Sequence, residues 1–331
     1  MPASTLDGRL LHASGAAYAI SDDEKVLAPD PKNLDLAGAG FLRPPTVITA
    51  GRREVDACLV GEMAEGPVVV FRGTLPFNLH GIPTVRDWLN DFEARPIPFA
   101  GFPGFLHEGF AQALAGLSPG ISDELKRIDD ASPAPGRPIL ITGHSKGGAL
   151  AALAAWEIEK VVGRPVKVVT FAAARPGDET FGAAYDAAGI DHVRYEYGND
   201  IVPHLPLSKG GFVDLLANLP LIGGRFAGFR RFDYRPVGRL RYITRSGRIV
   251  AEDPTLRSDR DLTLALEILR GRLLQVATDH AIGRGSGYRA ALDPDGGPLL
   301  VSIWHAEGPG EGEDDRDSGV SPPLLDLIGP G

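Results

Sequence analysis

Residues 139–153 read ILITGHSKGGALAAL, and few backbones accommodate such a run. Ile139 to Thr142 are apolar or β-branched, which suits a strand. Gly143, Gly147 and Gly148 then crowd around Ser145, and an alanine-rich, helix-forming stretch follows at once. A strand that turns into a helix this abruptly makes a sharp elbow with serine at its apex. Glycines flank the serine because side chains there would collide with the adjoining strand and helix. The helix beginning at Lys146 aims its free N–H groups and its dipole at whatever meets Ser145. Ser145 is therefore expected to be a nucleophile rather than a turn residue.

The surrounding pattern supports an α/β fold. Residues 56–61 and 67–72 read as two strands joined by a short turn, and 104–130 carries apolar residues at helical spacing. Strand 139–142 leads to helix 146–162, strand 166–172 to a helix around 178–188, and strand 192–197 follows. Strands that alternate with helices and read as continuous apolar runs predict a mainly parallel central sheet with helices on both faces. Residues 238–251 read as a hairpin turning at Ser246-Gly247, a helix covers about 260–274, and a further segment runs from 279 into 288–292. Residues 1–55 read as a preamble of short helical patterns and Pro/Gly-rich loops. Beyond about residue 306 the chain is acidic and rich in Gly and Pro, the composition of a disordered tail.

A serine nucleophile needs a base, and the base needs an orienting acid. On this kind of elbow the chain order is Ser, then Asp or Glu, then His. Asp200, just past a strand, and His280 fit that order. His204 is the main rival base, but it follows Asp200 closely in sequence. Asp178 and Asp191 are rival acids for which helix-start or loop roles are expected. His144 is expected to pack or hydrogen-bond within the elbow, and His107 to be structural.

Seven stretches taken together resemble the class 3, fungal-type lipase family of the α/β-hydrolases. They are VVVFRGT (68–74), DWLNDF (88–93), HEGF (107–110), ITGHSKGG (141–148), TFAAARPGDETF (170–181), NDIVPHLP (199–206) and DHAIGRGSGY (279–288). They keep the family's order over about 220 residues, which makes them far more specific together than singly. The resemblance implies Ser145 as nucleophile, Asp200 as acid and His280 as base. It also implies an oxyanion hole from the backbone N–H groups of Thr74 and Lys146, and a lid at 75–83. Leu75, Phe77 and Leu79, with His144 beside the nucleophile, are then the expected substrate contacts. Three features depart from the family: Lys146 stands where Leu is common, TFAAARPGD lacks the usual Gly-Ser, and 80 residues separate Asp200 from His280.

The expected division is an N-terminal segment 1–14, one α/β-hydrolase domain 15–305 with an inserted apolar and basic segment at 207–250, and the tail 306–331. Within the insertion, 210–232 is apolar and leads into arginines at 225, 230, 231, 235, 239, 241, 245 and 248. That mixture suits either a lipid–water interface or a packed subdomain with solvated arginines.

The expected activity is hydrolysis of lipid carboxylic esters through an acyl-serine. Alternatives are phospholipase A1-type, thioesterase or acyltransferase chemistry on the same triad, or a non-catalytic binding protein on this scaffold. No cofactor, metal or obligate protein partner is expected, since no CxxC or HExxH spacing occurs. The net charge is −9, and seven acidic residues between Glu307 and Asp326 carry most of it, so nucleic acid is not an expected partner. The single cysteine, Cys58, permits no internal disulfide and is expected to be buried. The N-terminal stretch lacks a signal-peptide pattern, so a cytoplasmic location is expected, with leaderless secretion still open.

Overall fold

The computed structural model describes residues 5–20, 39–51, 56–74, 95–220, 223–270, 278–283 and 286–293. The expected lid at 75–83, with Leu75, Phe77 and Leu79, and the tail at 306–331 lie outside the described residues. Eight strands form the central sheet: β1 (Thr46–Ala50), β2 (Asp56–Met63), β3 (Gly66–Phe71), β6 (Ile139–His144), β7 (Val166–Phe171), β8 (Asp191–Tyr197), β9 (Arg239–Ile243) and β10 (Ile249–Ala251). They lie side by side in that order. The five strands from β3 to β9 run parallel, and β1, β2 and β10 pair antiparallel at the two sides. β4 (Pro96–Ile97) and β5 (Leu106–His107) make a separate two-stranded ribbon. The mainly parallel sheet expected from the strand–helix alternation is present.

Alternation along each strand sends side chains to two distinct cores. Val69, Phe71, Ile139, Ile141 and Val168 face the larger core. It also takes in residues of α2 (Glu108–Ala131), α3 (Lys146–Trp156), α4 (Glu179–Ala188), α5 (Gly211–Ala217), α6 (Gly223–Ala227) and α7 (Pro254–Leu269). Val68, Val70, Leu140, Val169 and Phe171 face the smaller core, shared with α1 (Leu6–Ala16) and α8 (Gly287–Leu292). Helix α3 is buried all along Gly147–Ala155, which explains its lack of a polar stripe. It passes into a wider-wound segment, Glu157–Val162, that ends where Gly163 turns left-handed.

Several expectations change in detail. The 1–55 preamble contributes a full edge strand, β1, in register with β2 from Thr46 opposite Val60 to Ala50 opposite Asp56. Helix α1 runs through the boundary drawn at residue 14, and its Leu10, Leu11 and Ala13 are fully buried. The Ser14 hydroxyl meets that of Thr142 on β6 at 3.1 Å. His12 pairs with Asp293 at the end of α8, and Arg289 approaches the same carboxylate at 3.3 Å. Helix α7 starts at Pro254, ahead of the expected 260, because the Asp253 side chain accepts from the Leu256 amide at 2.9 Å.

The inserted segment is a packed layer. Phe212, Val213, Leu216 and Phe226 belong to the larger core. Much of its arginine run is paired: Arg230 with Asp214, Arg235 with Glu179 and Asp186, Arg239 with Asp191, and Arg245 with Asp279. β8 also sends charge inward. The Arg194 Nε donates to Glu196 at 2.9 Å, and Arg260 of α7 pairs with Glu196 while its guanidinium lies 4.5 Å from the centre of the Tyr242 ring. Burial would raise the Glu196 carboxyl, but Arg260 and Arg194 overcome it and hold the group well below the usual carboxylate range. Cys58 is buried on β2, and burial pushes its thiol up.

Two stability outcomes follow from local backbone and burial. Ala172, at the end of β7, holds φ at +50°, a conformation that its Cβ disfavours by roughly 1–2 kcal/mol. Ala172→Gly relieves that strain but frees the unfolded chain and removes a fully buried methyl worth about 0.8 kcal/mol, so its stability is expected to stay within about 1 kcal/mol of the wild type; a loss beyond ~2 kcal/mol on urea denaturation would remove this account. His192 contacts Thr170 at 2.9 Å and Tyr185 at 3.0 Å, and burial, helped by Arg194, pushes it from 6.5 down to about 3. Unfolding lets such a histidine take up a proton, so its contribution is complete above pH 6.5 and declines as pH falls toward 3. His144 and His204 are also lowered, whereas the raised carboxyls of Asp261 and Asp279 oppose the trend nearer the carboxylate range. Calorimetry from pH 7 to 5 should record a falling midpoint, with a shallower slope in His192→Gln; a flat profile would contradict it.

Candidate active site

β6 delivers His144 and Ser145 to the carboxyl edge of the parallel strands, where sites in open α/β sheets form. Ser145 adopts φ +61° and ψ −129°, the strained conformation expected of the elbow, and is 2% exposed. Its backbone is held on three sides. The Ser145 amide donates to Phe171 O at 3.0 Å, and its carbonyl accepts from Gly148 at 3.0 Å and from Ala174 at 3.3 Å. A Cβ on Gly147 would stand 2.3 Å from Phe71 O, so only glycine lets α3 approach β3 this closely.

The same proximity brings up the next candidate. Gly73 lies against the His144 carbonyl and the Tyr18 hydroxyl with no room for a side chain, and Thr74 is the next residue along the chain. Lys146 is the first residue of α3, so its N–H has no acceptor within the helix. Its ammonium pairs with Asp56 on β2, which leaves the backbone as the group Lys146 offers at the elbow.

Asp200 sits in the turn after β8, buried, and accepts from three donors. These are the Val202 amide at 2.9 Å, the Tyr288 hydroxyl at 2.9 Å and His280 Nδ1 at 3.0 Å. Because the carboxylate can only accept, His280 Nδ1 carries the proton and Nε2 keeps its lone pair. His280 is 2% exposed, and its ring centre lies 4.4 Å from that of His144, the residue preceding Ser145. The structure thus brings Ser145, Asp200 and His280 to one locality.

His144 packs and hydrogen-bonds within the elbow, as expected of it there, in place of the substrate contact also expected. It is fully buried and donates from Nε2 to the His280 carbonyl at 2.8 Å. Its Nδ1 accepts from the Tyr18 hydroxyl at 2.7 Å. Burial, then the nearby His280, lowers His144 well below the usual histidine range, which agrees with a neutral ring that donates once and accepts once. Tyr18 and Tyr288 had no role in the sequence reading. Tyr18 sits in a stretch with no distinguishing pattern, whereas Tyr288 closes the DHAIGRGSGY motif.

The rivals go elsewhere. His204 lies 3.9 Å from Asp261, beside a charged cleft of about 490 Å³ that Arg175, Arg194 and Arg260 also line. Burial, Arg175 and Arg260 push it down to about 3. Asp178 caps α4 by accepting from the Phe181 amide at 2.8 Å, and Asp191 pairs with Arg239 at the exposed start of β8. His107 caps α2, accepting from the Phe110 amide at 3.3 Å.

The family model described as "Lipase (class 3)" matches residues 68–210. A lipase of Rhizomucor miehei is 28% identical over 160 residues, 46% of this chain and 41% of that protein. Phospholipase A1-II 4 of Oryza sativa subsp. japonica is 28% identical over 248 residues, covering 66% of this chain and 57% of its own. A secreted mono- and diacylglycerol lipase A of Penicillium cyclopium is 30% identical over 147 residues, 44% of this chain and 45% of its own. The chain therefore spans about half the length of the curated relatives it matches. Among solved structures, a mutant form of the mono- and diacylglycerol lipase from Penicillium cyclopium superposes with a TM-score of 0.55 at 20% identity. It covers 78% of this chain and 88% of that one. A triacylglycerol lipase described as having a serine protease triad gives 0.52 at 20% identity, over 72% and 78%. The matched segment contains the strained Ser145 elbow and Asp200. Residues 68–210 thus match the class 3 lipase family, and the chain has the α/β-hydrolase fold.

Proposed function

We propose that the chain hydrolyses carboxylic esters of lipids, acylglycerols first among them, through an acyl-serine intermediate. The observation that carries this reading is the buried Asp200–His280 pair held beside the strained Ser145 elbow, with the imidazole proton on Nδ1. His280 Nε2 removes the Ser145 proton as Oγ attacks the ester carbonyl. Asp200 keeps the tautomer and stabilises the imidazolium that forms. The Thr74 and Lys146 amides hold the oxyanion, each worth on the order of 3 kcal/mol. The imidazolium then protonates the departing alcohol, and His280 activates a water that releases the acid and frees Ser145.

A phospholipase A1-type activity is the second reading, favoured by the rice relative that bears that name and matches the longest stretch among those compared. Presentation of substrate at a lipid–water interface is the finer part of the proposal. Leu262, Leu266 and Leu269 recur at i, i+4 and i+7 on α7 and are exposed, as are Leu215 and Leu219 from the α5 region.

Ser145→Ala is expected to keep its thermal midpoint and lose p-nitrophenyl ester turnover by at least ~10³-fold. Near-wild-type turnover in that variant would defeat the assignment. A panel of soluble and emulsified acylglycerols, phospholipids and thioesters then separates the readings. Leu262→Ser with Leu266→Ser should slow hydrolysis of emulsions and spare that of soluble esters; equal effects on both would remove the interface.

A further inference from the structure

One buried carboxylate beside the triad has no part in the scheme above. Asp279 immediately precedes His280, and its side chain is 7% exposed. Its Oδ2 accepts from the Asn199 amide at 2.8 Å and from Arg245 Nη2 at 2.7 Å. Asn199 immediately precedes Asp200. A single carboxylate oxygen therefore joins the turn that carries the acid, the turn that carries the base and a third element, the β9–β10 hairpin.

That hairpin is itself fastened to the acid turn. The Gly198 amide donates to Ile243 O at 3.2 Å, and the Tyr242 hydroxyl donates to Gly198 O at 3.1 Å. Arg245 stands in a tight turn closed by Thr244 N to Arg248 O at 2.9 Å and Gly247 N to Thr244 O at 2.8 Å. The hairpin lies within the stretch that makes the spacing from Asp200 to His280 as long as 80 residues. Without it, Asp279 would be a second buried negative charge close to Asp200 with no cation beside it.

We propose that Asp279, clamped by Arg245, is a positioning residue that locks the Asp200 turn to the His280 turn and balances the charge around the imidazole. The proposal rests on the hydrolytic reading of Ser145, Asp200 and His280. Among the described residues, the imidazole meets Asp200, with Tyr288 behind it, and His144, with Tyr18 behind it, while the Asp279–Arg245 pair stands at the adjoining position of the chain. The clamp pair reaches the Asp200 turn through the Asn199 backbone, whereas Asp200 meets His280 through its own side chain. The pair can therefore be altered while the remaining contacts stay.

The test compares Asp279→Asn, Arg245→Ala, Arg245→Lys and the Asp279→Asn/Arg245→Ala double variant on a soluble p-nitrophenyl ester. Loss of the clamp should lower kcat about 10- to 100-fold, the effect usual for a partner that orients a reacting group, with KM little changed. Removing the carboxylate should move the acid limb of kcat/KM to lower pH, and removing the guanidinium should move it to higher pH. Each shift is expected to be about half a pH unit. The double variant should return the limb toward its original position with kcat still low, and Arg245→Lys should leave the limb in place. A merely structural pair would instead lower the thermal midpoint without opposite shifts. Unaltered kcat, or limbs that move in the same direction, would overturn the clamp.

If the wild-type chain turns over no ester, the functional reading fails. NMR titration of the 280 imidazole then looks for the same opposed shifts, and their absence overturns the clamp independently.

Discussion

A serine forced to φ +61° at the end of β6 is the constraint around which the molecule is arranged. Such a residue costs of order 1–3 kcal/mol and persists only where its surroundings over-determine it. Here the surroundings do so from both sides. The Phe171 carbonyl of β7 takes its amide, Gly148 and Ala174 take its carbonyl, and glycines let β3 and α3 close in without side chains between them. The two cores then keep the sheet from relaxing around the elbow. Strain is thus stored where a hydroxyl must project from the edge of the sheet rather than pack into it.

The second element of the site is a neutral hydrogen-bond chain that begins far away in sequence. Tyr18 donates to His144, and His144 donates to the carbonyl of His280. The N-terminal helix that brings Tyr18 is anchored by fully buried leucines and by His12 against Asp293. Asp200 is held just as fully, by Val202, Tyr288 and His280. These buried hydrogen bonds together hold the imidazole in its orientation.

The elements legible in the sequence were those whose chemistry is local. Continuous apolar runs gave β2, β3, β6, β7 and β8, and Ser246-Gly247 marked the β9–β10 turn. The glycine-flanked serine announced its elbow, and motif order picked out Asp200 and His280 together. Much of what escaped depended on distant contacts. Thr46–Ala50 opens with four β-branched residues, a strand signal obscured by the prolines and glycines around it, and it forms the edge beside β2. Tyr18 gains meaning solely from His144, 126 residues later. His144 adjoins the nucleophile and could be read both as an elbow packing residue and as a substrate contact; its bonds to Tyr18 and His280 give it the first role. Asp253-Pro254 was a readable helix start that the weak periodicity of the first turn of α7 concealed.

The buried charges on β8 reach beyond their own pairing. Glu196 is neutralised by Arg194 from its own strand and by Arg260 from α7, whose guanidinium also lies over Tyr242 of β9. An oily seam between helix and sheet would tolerate a slip of one turn, about 5.4 Å, at modest cost. A slip here would strand an ionised carboxylate in the interior, at a cost of several kcal/mol. The inserted layer is consequently keyed to a single seating on the sheet, and sequence drift at its apolar contacts can proceed without loosening that lock.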